Sequence, residues 1–180
     1  MITYRTAHPA DAAAIATLHA QSWQRHYRGI WADAFLDGPV VENRQTLWQQ
    51  RLQNPAHNQH LILAENEGRL VGFVCVFAKE HETFGALIDN LHVISELKGK
   101  GIGRELLRRA AAWVYAHDGN SPIYLWVLVK NEGAKQFYDR MNGENYEMAG
   151  VANPDGSYSD CYRYVWWKPA QLSESGFTEL

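Results

Sequence analysis

The chain predicts an α+β fold, a mixed and largely antiparallel central sheet flanked by helices. Three observations carry this. Strand-like and helix-like stretches follow the order β-α-α-β-β-β-α-β-α-β-β. Two connections, Glu67-Gly68 and Asn153-Pro154-Asp155-Gly156, are turns that join neighbouring strands as hairpins. Elsewhere helices cross over between strands, so the pattern is neither purely hairpin nor doubly wound.

In order, Ile2 to Arg5 alternates and reads as a short strand. Pro9 and Asp11 open a helix that brings Ile15, Leu18 and Trp23 roughly to one face. Trp23 to Trp31 is dense in aromatic rings. A further helix covers 41–52, with Leu47 and Leu52 as its apolar points, and Asn54-Pro55 ends it. Strands at 60–65 and 70–78 form a hairpin, and 86–93 is the next strand. Leu106, Leu107, Ala110, Ala111 and Val114 recur at helical spacing over 104–116. Residues 122–129 read as a buried strand, 132–141 as a short helix, and 146–151 and 158–167 as the closing hairpin. One domain over 1–168 is expected, followed by a frayed tail at 169–180.

With 46% apolar and 21% charged residues, the chain of 180 residues can bury a core. Its net charge of −3 is too mild to predict nucleic-acid binding. Yet Lys98, Lys100, Arg104, Arg108 and Arg109 face only Glu105 over 98–109, a basic island suited to a small polyanion. Cys75 sits in an apolar run and no disulfide scaffold is indicated, so the cytoplasm is the expected location. That run, 71–78, is far too short for a membrane span, and the N-terminus lacks a leader pattern. His57 and His60 lie three apart with no Cys or carboxylate cluster beside them, so no metal is expected.

The densest chemistry lies after the strand at 86–93. Leu91-His92-Val93 leads into Lys98-Gly99-Lys100-Gly101-Ile102-Gly103-Arg104, which opens a helix. Glycines at alternate positions free the backbone for positive φ and close approach to a ligand. The first N–H groups of the helix are unpaired and point back at the turn, forming an anion cradle. A Walker loop would need Lys-Ser/Thr after Gly101, and the dinucleotide fingerprint a different glycine spacing.

What does fit is Gln/Arg-x-x-Gly-x-Gly/Ala after a strand ending in Leu-x-Val, with Lys98 in the place of the usual Gln or Arg. This resembles the acyl-CoA-binding motif of the GNAT superfamily of N-acetyltransferases. A second block, Leu125 to Tyr138, resembles that family's later motif Asn-x-x-Ala-x-x-Phe-Tyr, here Asn131, Ala134, Phe137 and Tyr138. The resemblance covers roughly residues 3–168 and implies a sheet that splays between its fourth and fifth strands. It implies acetyl-CoA as co-substrate, with Leu91, His92, Val93, the turn at 98–104, Asn131 and Ala134 around it. Freed backbone groups of Leu91 and Val93 would pair with the pantetheine amides. Val93 N–H could also hold the oxyanion. Tyr138 would lie near the sulfur, where a phenol of pKa about 10 faces a thiol of about 8.5.

Direct transfer to an amine is the implied reaction, with a small-molecule or peptide amine as acceptor. Many members place a glutamate six residues before the valine, where this chain has Leu87. Asp89 is the expected base or amine anchor, on Leu87's face by two-residue alternation, with His92 opposite. An aspartate serving a β-bulge is the structural alternative. Trp23, Tyr27 and Trp31 either wall the acceptor site or pack the helix link onto the sheet. Asp155, Tyr158 and Asp160 border the cleft in the same family layout. Alternatives are a non-catalytic acyl-CoA-binding module, kept open by Leu87, and a protein N-terminal acetyltransferase. The adjacent Trp166 and Trp167 point to opposite faces, which leaves room for a homodimer contact.

Overall fold

The computed structural model describes residues 1–174. One seven-stranded sheet runs in the order β1-β2-β3-β4-β5-β7-β6, with β1 Ile2–Thr6, β2 Gln59–Asn66, β3 Arg69–His81, β4 Gly85–Val93, β5 Ile123–Leu128, β6 Glu144–Ala152 and β7 Tyr158–Trp166. Every neighbouring pair is antiparallel except β4 and β5. The helices are α1 Ala12–His26, α2 Asp33–Leu36, α3 Val40–Gln53, α4 Ile102–Asp118, α5 Glu132–Arg140 and α6 Ala170–Glu174.

Alternation along the strands sorts the core into two layers. Ile62, Val74, Val76, Ala86 and Ile88 pack on Leu106, Leu107, Ala110 and Val114 of α4. On the opposite face, Leu61, Leu63, Phe73 and Cys75 pack on Ile15 and Leu18 of α1 and Trp48 and Leu52 of α3.

Two irregularities of β4 shape the molecule. The first is that β4 and β5 pair only at Ala86↔Ile123 and Leu87↔Tyr124, after which the sheet opens. This is the splay expected between the fourth and fifth strands. The second is a bulge. Ile88 opposes Val76 and Asn90 opposes Cys75, so Asp89 has no partner on β3. The extra residue reverses the phase of the strand. Leu87 opposes Phe77, Asn90 opposes Cys75 and His92 opposes Phe73, all on the α1/α3 face. His92 therefore shares Leu87's face, not the opposite one, because alternation assumes a regular strand.

Two short helices escape the periodicity argument. α2 has four residues, too few to show a repeat. α6 lies where a frayed tail was expected, and it is held by tertiary burial: Leu172 is 0% exposed and the helix packs on α4. Residues 175–180 of that expected tail lie outside the described residues. Trp166 and Trp167 do point to opposite faces. Trp166 is buried with its indole N–H on Met141 C=O at 2.8 Å, and Trp167 packs on Phe84 and Tyr146 while donating to Glu144 at 2.7 Å.

Candidate active site

The glycine turn uses its freedom at two positions. Gly99 (φ +77°) and Gly101 (φ +80°) are left-handed, and Gly101 is the N-cap of α4. The first bond into that helix is Glu105 N–H to Gly101 C=O at 3.0 Å. Among the described residues no N–H of 99–104 has an acceptor, so six donors are grouped at a helix N-terminus. Ile102 is buried beneath them, and Gly103 is helical, where a Cβ would meet the Phe137 ring at 3.5 Å. Lys100 and Arg104 are exposed and in no ion pair among the described residues. Lys98 Nζ donates to His26 Nε2 at 2.8 Å, tying the turn to α1. Burial first, then Lys98 and Arg25, lower the His26 pKa and favour the neutral ring that accepts this bond.

From the turn a cleft of about 1400 Å³ follows the opened seam between β4 and β5. Ile94 N–H donates to Val71 C=O at 2.9 Å, opposite β3. By antiparallel alternation His92 and Asn90 bond to β3, while the peptide groups of Leu91 and Val93 face the seam. No strand partner meets them there, because the β5 pairing ended at Leu87. Leu91, His92 and Val93 all line the cleft.

Asn131 stands past β5 as the N-cap of α5, its Oδ1 accepting from Ala134 N–H at 3.2 Å. Its Nδ2 has no acceptor among the described residues, so the cap leaves a donor free on the cleft wall. Ala134 and Tyr138, one helical turn apart, both line the cleft. Tyr138 is 8% exposed, and its hydroxyl has no hydrogen-bond partner among the described residues. Burial, helped by Tyr27, lifts its pKa well above the usual 10, so it is a neutral donor and a poor full acid.

On the α1/α3 side, Asp89 projects from the bulge and is ion-paired with Arg51 of α3. Arg51 and the Asn90 amide both donate to Oδ2, which leaves Oδ1 without a partner among the described residues. Leu87 packs with Phe84, Tyr124 and Trp126 and offers no polar atom. His92 Nδ1 meets Ser22 Oγ at 2.9 Å, and burial, then His26, Lys98 and Arg44, push its pKa down to about 3. Sequence reasoning passed over both Arg51 and Arg44. The latter is a cleft-lining residue of α3 at 8% exposure, in the buried row Val40, Arg44, Trp48, Leu52. A charge in an apolar row spaced by four is the signal that could have found it.

Trp23, Tyr27 and Trp31 pack with Leu36 and Val40 around the link between α1 and α3. Their rings pack together, Trp23 and Trp31 edge-on at 4.5 Å, and all three line the cleft. The β6–β7 hairpin closes over this end, where Asp155 Oδ2 accepts from Ala32 N–H at 2.9 Å. Asp155 also accepts from Ser157 N–H at 2.9 Å, so it serves the turn and the link at once. Tyr158 is exposed, and none of Asp155, Tyr158 and Asp160 lines the cleft. No group of three or more metal-ligating side chains lies together among the described residues. Among the described residues no helix is long and apolar enough to cross a membrane.

Known proteins resemble this chain in sequence or share its fold. The uncharacterized N-acetyltransferase YuaI of Bacillus subtilis is 26% identical over 157 residues, covering 84% of this chain and 88% of its own. An acetyltransferase of the GNAT family from Desulfovibrio desulfuricans superposes with a TM-score of 0.72 at 16% identity, over 94% of this chain and 99% of its own. The PaiA N-acetyltransferase of Thermoplasma acidophilum, solved with coenzyme A, gives 0.68 at 19% identity over 92% and 99%. At those identities the two structures speak for the fold alone. Residues 19–143, which hold the cradle, the seam and Tyr138, match the acetyltransferase (GNAT) family, and the chain belongs to that family of acyltransferases.

Proposed function

We propose that the chain moves an acetyl group from acetyl-CoA to a primary amine by direct attack on the thioester. The observation that carries this is the seam: β4 and β5 part after Leu87 and Tyr124, leaving the peptide groups of Leu91 and Val93 open beside a six-donor cradle. In this reading the amides of 99–104, with Lys100 and Arg104, hold the diphosphate. The pantetheine arm lies in the seam as a pseudo-strand, bonded to Leu91 and Val93 and reached by Asn131 Nδ2. Ala134 leaves it room.

The amine nitrogen attacks the thioester carbonyl, and Val93 N–H receives the developing oxyanion. As the C–S bond breaks, Tyr138 donates a hydrogen bond to the departing sulfur. Its raised pKa makes complete proton transfer uphill, so solvent supplies the thiol proton. A free alkylamine of pKa about 10 is neutral in only about one molecule per thousand at pH 7, so a proton must leave it. Asp89 Oδ1 is the open carboxylate oxygen of the cleft wall and takes the role of amine anchor and base. The relative from Thermoplasma holds coenzyme A, in keeping with this ligand.

The test is calorimetric titration of coenzyme A, followed by thiol release from acetyl-CoA over an amine panel. Heat and amine-dependent thiol release are expected. Absence of heat removes the reading, and heat without release for any amine makes the chain a binding module.

A further inference from the structure

Arg44 sits in an otherwise apolar row of α3, with Val40, Trp48 and Leu52 above and below it. Burying a cation is unfavourable unless a counter-charge meets it. Among the described residues no carboxylate forms a direct pair with it, and Asp89, the carboxylate on the same cleft wall, is already paired with Arg51. The guanidinium lies 4.0 Å over the Trp23 ring. Its Nε and Nη2 both donate to the neutral Oδ1 of Asn43. Nη1 is left without a partner among the described residues, on a side chain 8% exposed that lines the cleft. Burial, then Arg51, pull its pKa down to about 10 against a smaller opposing pull from the Asp89 charge, and it stays charged at neutral pH.

The cradle at 99–104 has its own cations, so Arg44 is surplus to the diphosphate. It lines the same cleft as Trp23, Tyr27 and Trp31, the rings expected to wall the acceptor site. We infer that the acceptor carries a carboxylate beside its amine, and that Arg44 receives that carboxylate while Asp89 meets the amine. The inference rests on the acetyltransferase reading and narrows its substrate to amino-acid-like zwitterions. A polycation would instead meet an unneutralised guanidinium.

The experiment follows thiol release from acetyl-CoA with matched acceptors: phenylalanine against phenethylamine, leucine against isopentylamine, lysine against cadaverine. The wild type is expected to favour the acid-bearing member by tenfold or more in kcat/KM. Arg44→Gln should raise KM for that member by roughly 30-fold and leave KM for the decarboxylated one unchanged, since a lone buried charge pair is lost. Coenzyme A heat, unchanged in the variant, certifies its fold. Equal or better use of the decarboxylated amines by the wild type overturns the inference, and decides the matter alone if Arg44→Gln does not fold. A variant that weakens both classes equally also overturns it. If no amine releases thiol, the catalytic reading fails separately. The site is then judged by titrating N-acetylphenylalanine and its amide into the coenzyme-loaded protein: heat from the acid alone sustains the inference, and its absence ends it.

Discussion

Arg51 and Asp89, 38 residues apart, join helix α3 to the bulge of β4 through one carboxylate oxygen, Oδ2, and leave Oδ1 without a partner among the described residues on a side chain that lines the cleft. The pair orients the carboxylate where a bulged residue would otherwise be free to turn. Asp89→Asn keeps the shape and removes the charge. It should lower kcat/KM for amines by about 100-fold, the usual scale of general-base loss, with coenzyme A affinity within about twofold. Unchanged turnover in Asp89→Asn would reduce Asp89 to a bulge residue.

Gly101 and Gly103 predict opposite outcomes. Gly101 sits at φ +80° as the cap of α4, where any side chain is strained. Gly101→Ala should destabilise the fold by about 1–2 kcal/mol and weaken coenzyme A binding by roughly tenfold or more, because the cradle must relax. Gly103 is helical, and a Cβ there makes ordinary contact with Phe137 at 3.5 Å. Gly103→Ala should leave the urea midpoint unchanged or raised, helped by helix propensity. Equal losses in the two variants would contradict this account.

What the sequence disclosed and what it hid divide along one physical line. Gly101, Asn131, Ala134 and Tyr138 belong to local motifs, where a turn and the helix after it are set by neighbours in the chain. The turn and helix starts around them were readable, as were the hairpins around Gly68 and Gly156. The phase of β4 was not, because the bulge at Asp89 exists only relative to the register of β3. Arg44 was hidden for a related reason. The helix pattern showed Leu47 and Leu52 as apolar points, while the buried row runs through Val40, Arg44, Trp48 and Leu52 and depends on what α1 and the sheet present to it. α6 likewise owes its place to Leu172 finding a slot on α4.

Tyr138→Phe removes a hydroxyl with no hydrogen-bond partner among the described residues. Stability should therefore change by less than about 0.5 kcal/mol, in contrast to a loss of a satisfied buried hydrogen bond. Turnover should fall about 10- to 100-fold if that hydroxyl faces the leaving sulfur, with KM for acetyl-CoA little altered. Because burial raises the Tyr138 pKa, any alkaline limb of the wild-type rate below pH 10 should persist in Tyr138→Phe. Its disappearance in the variant would show that the phenol ionises in that range.

His19 and His92 make the fold sensitive to mild acid. Their rings lie 4.5 Å apart, and His19 Nδ1 accepts the Trp48 indole N–H at 2.9 Å, which places the proton on a buried Nε2 with no partner among the described residues. Burial is the main cause of a lowered pKa in both, His92 to about 3 and His19 well below 6.5. The unfolded chain takes up these protons near pH 6.5 while the folded chain refuses them. Stability is thus complete above pH 6.5 and declines as pH falls toward 3, by up to about 1.4 kcal/mol per pH unit for each histidine. His26 and His60 are shifted the same way and add to the slope. Carboxylates such as Asp11, held down by Arg5, add to the loss only as pH falls toward the unfolded carboxylate value of about 3.9. Urea unfolding at pH 7, 6 and 5 should show a steady loss, and His92→Gln should flatten it by about one proton's worth. A wild-type stability that is level from pH 7 to 5, or a slope untouched by His92→Gln, would show that the ring accepts its proton in the folded state and that the α1–β4 seam is wetter than its packing implies.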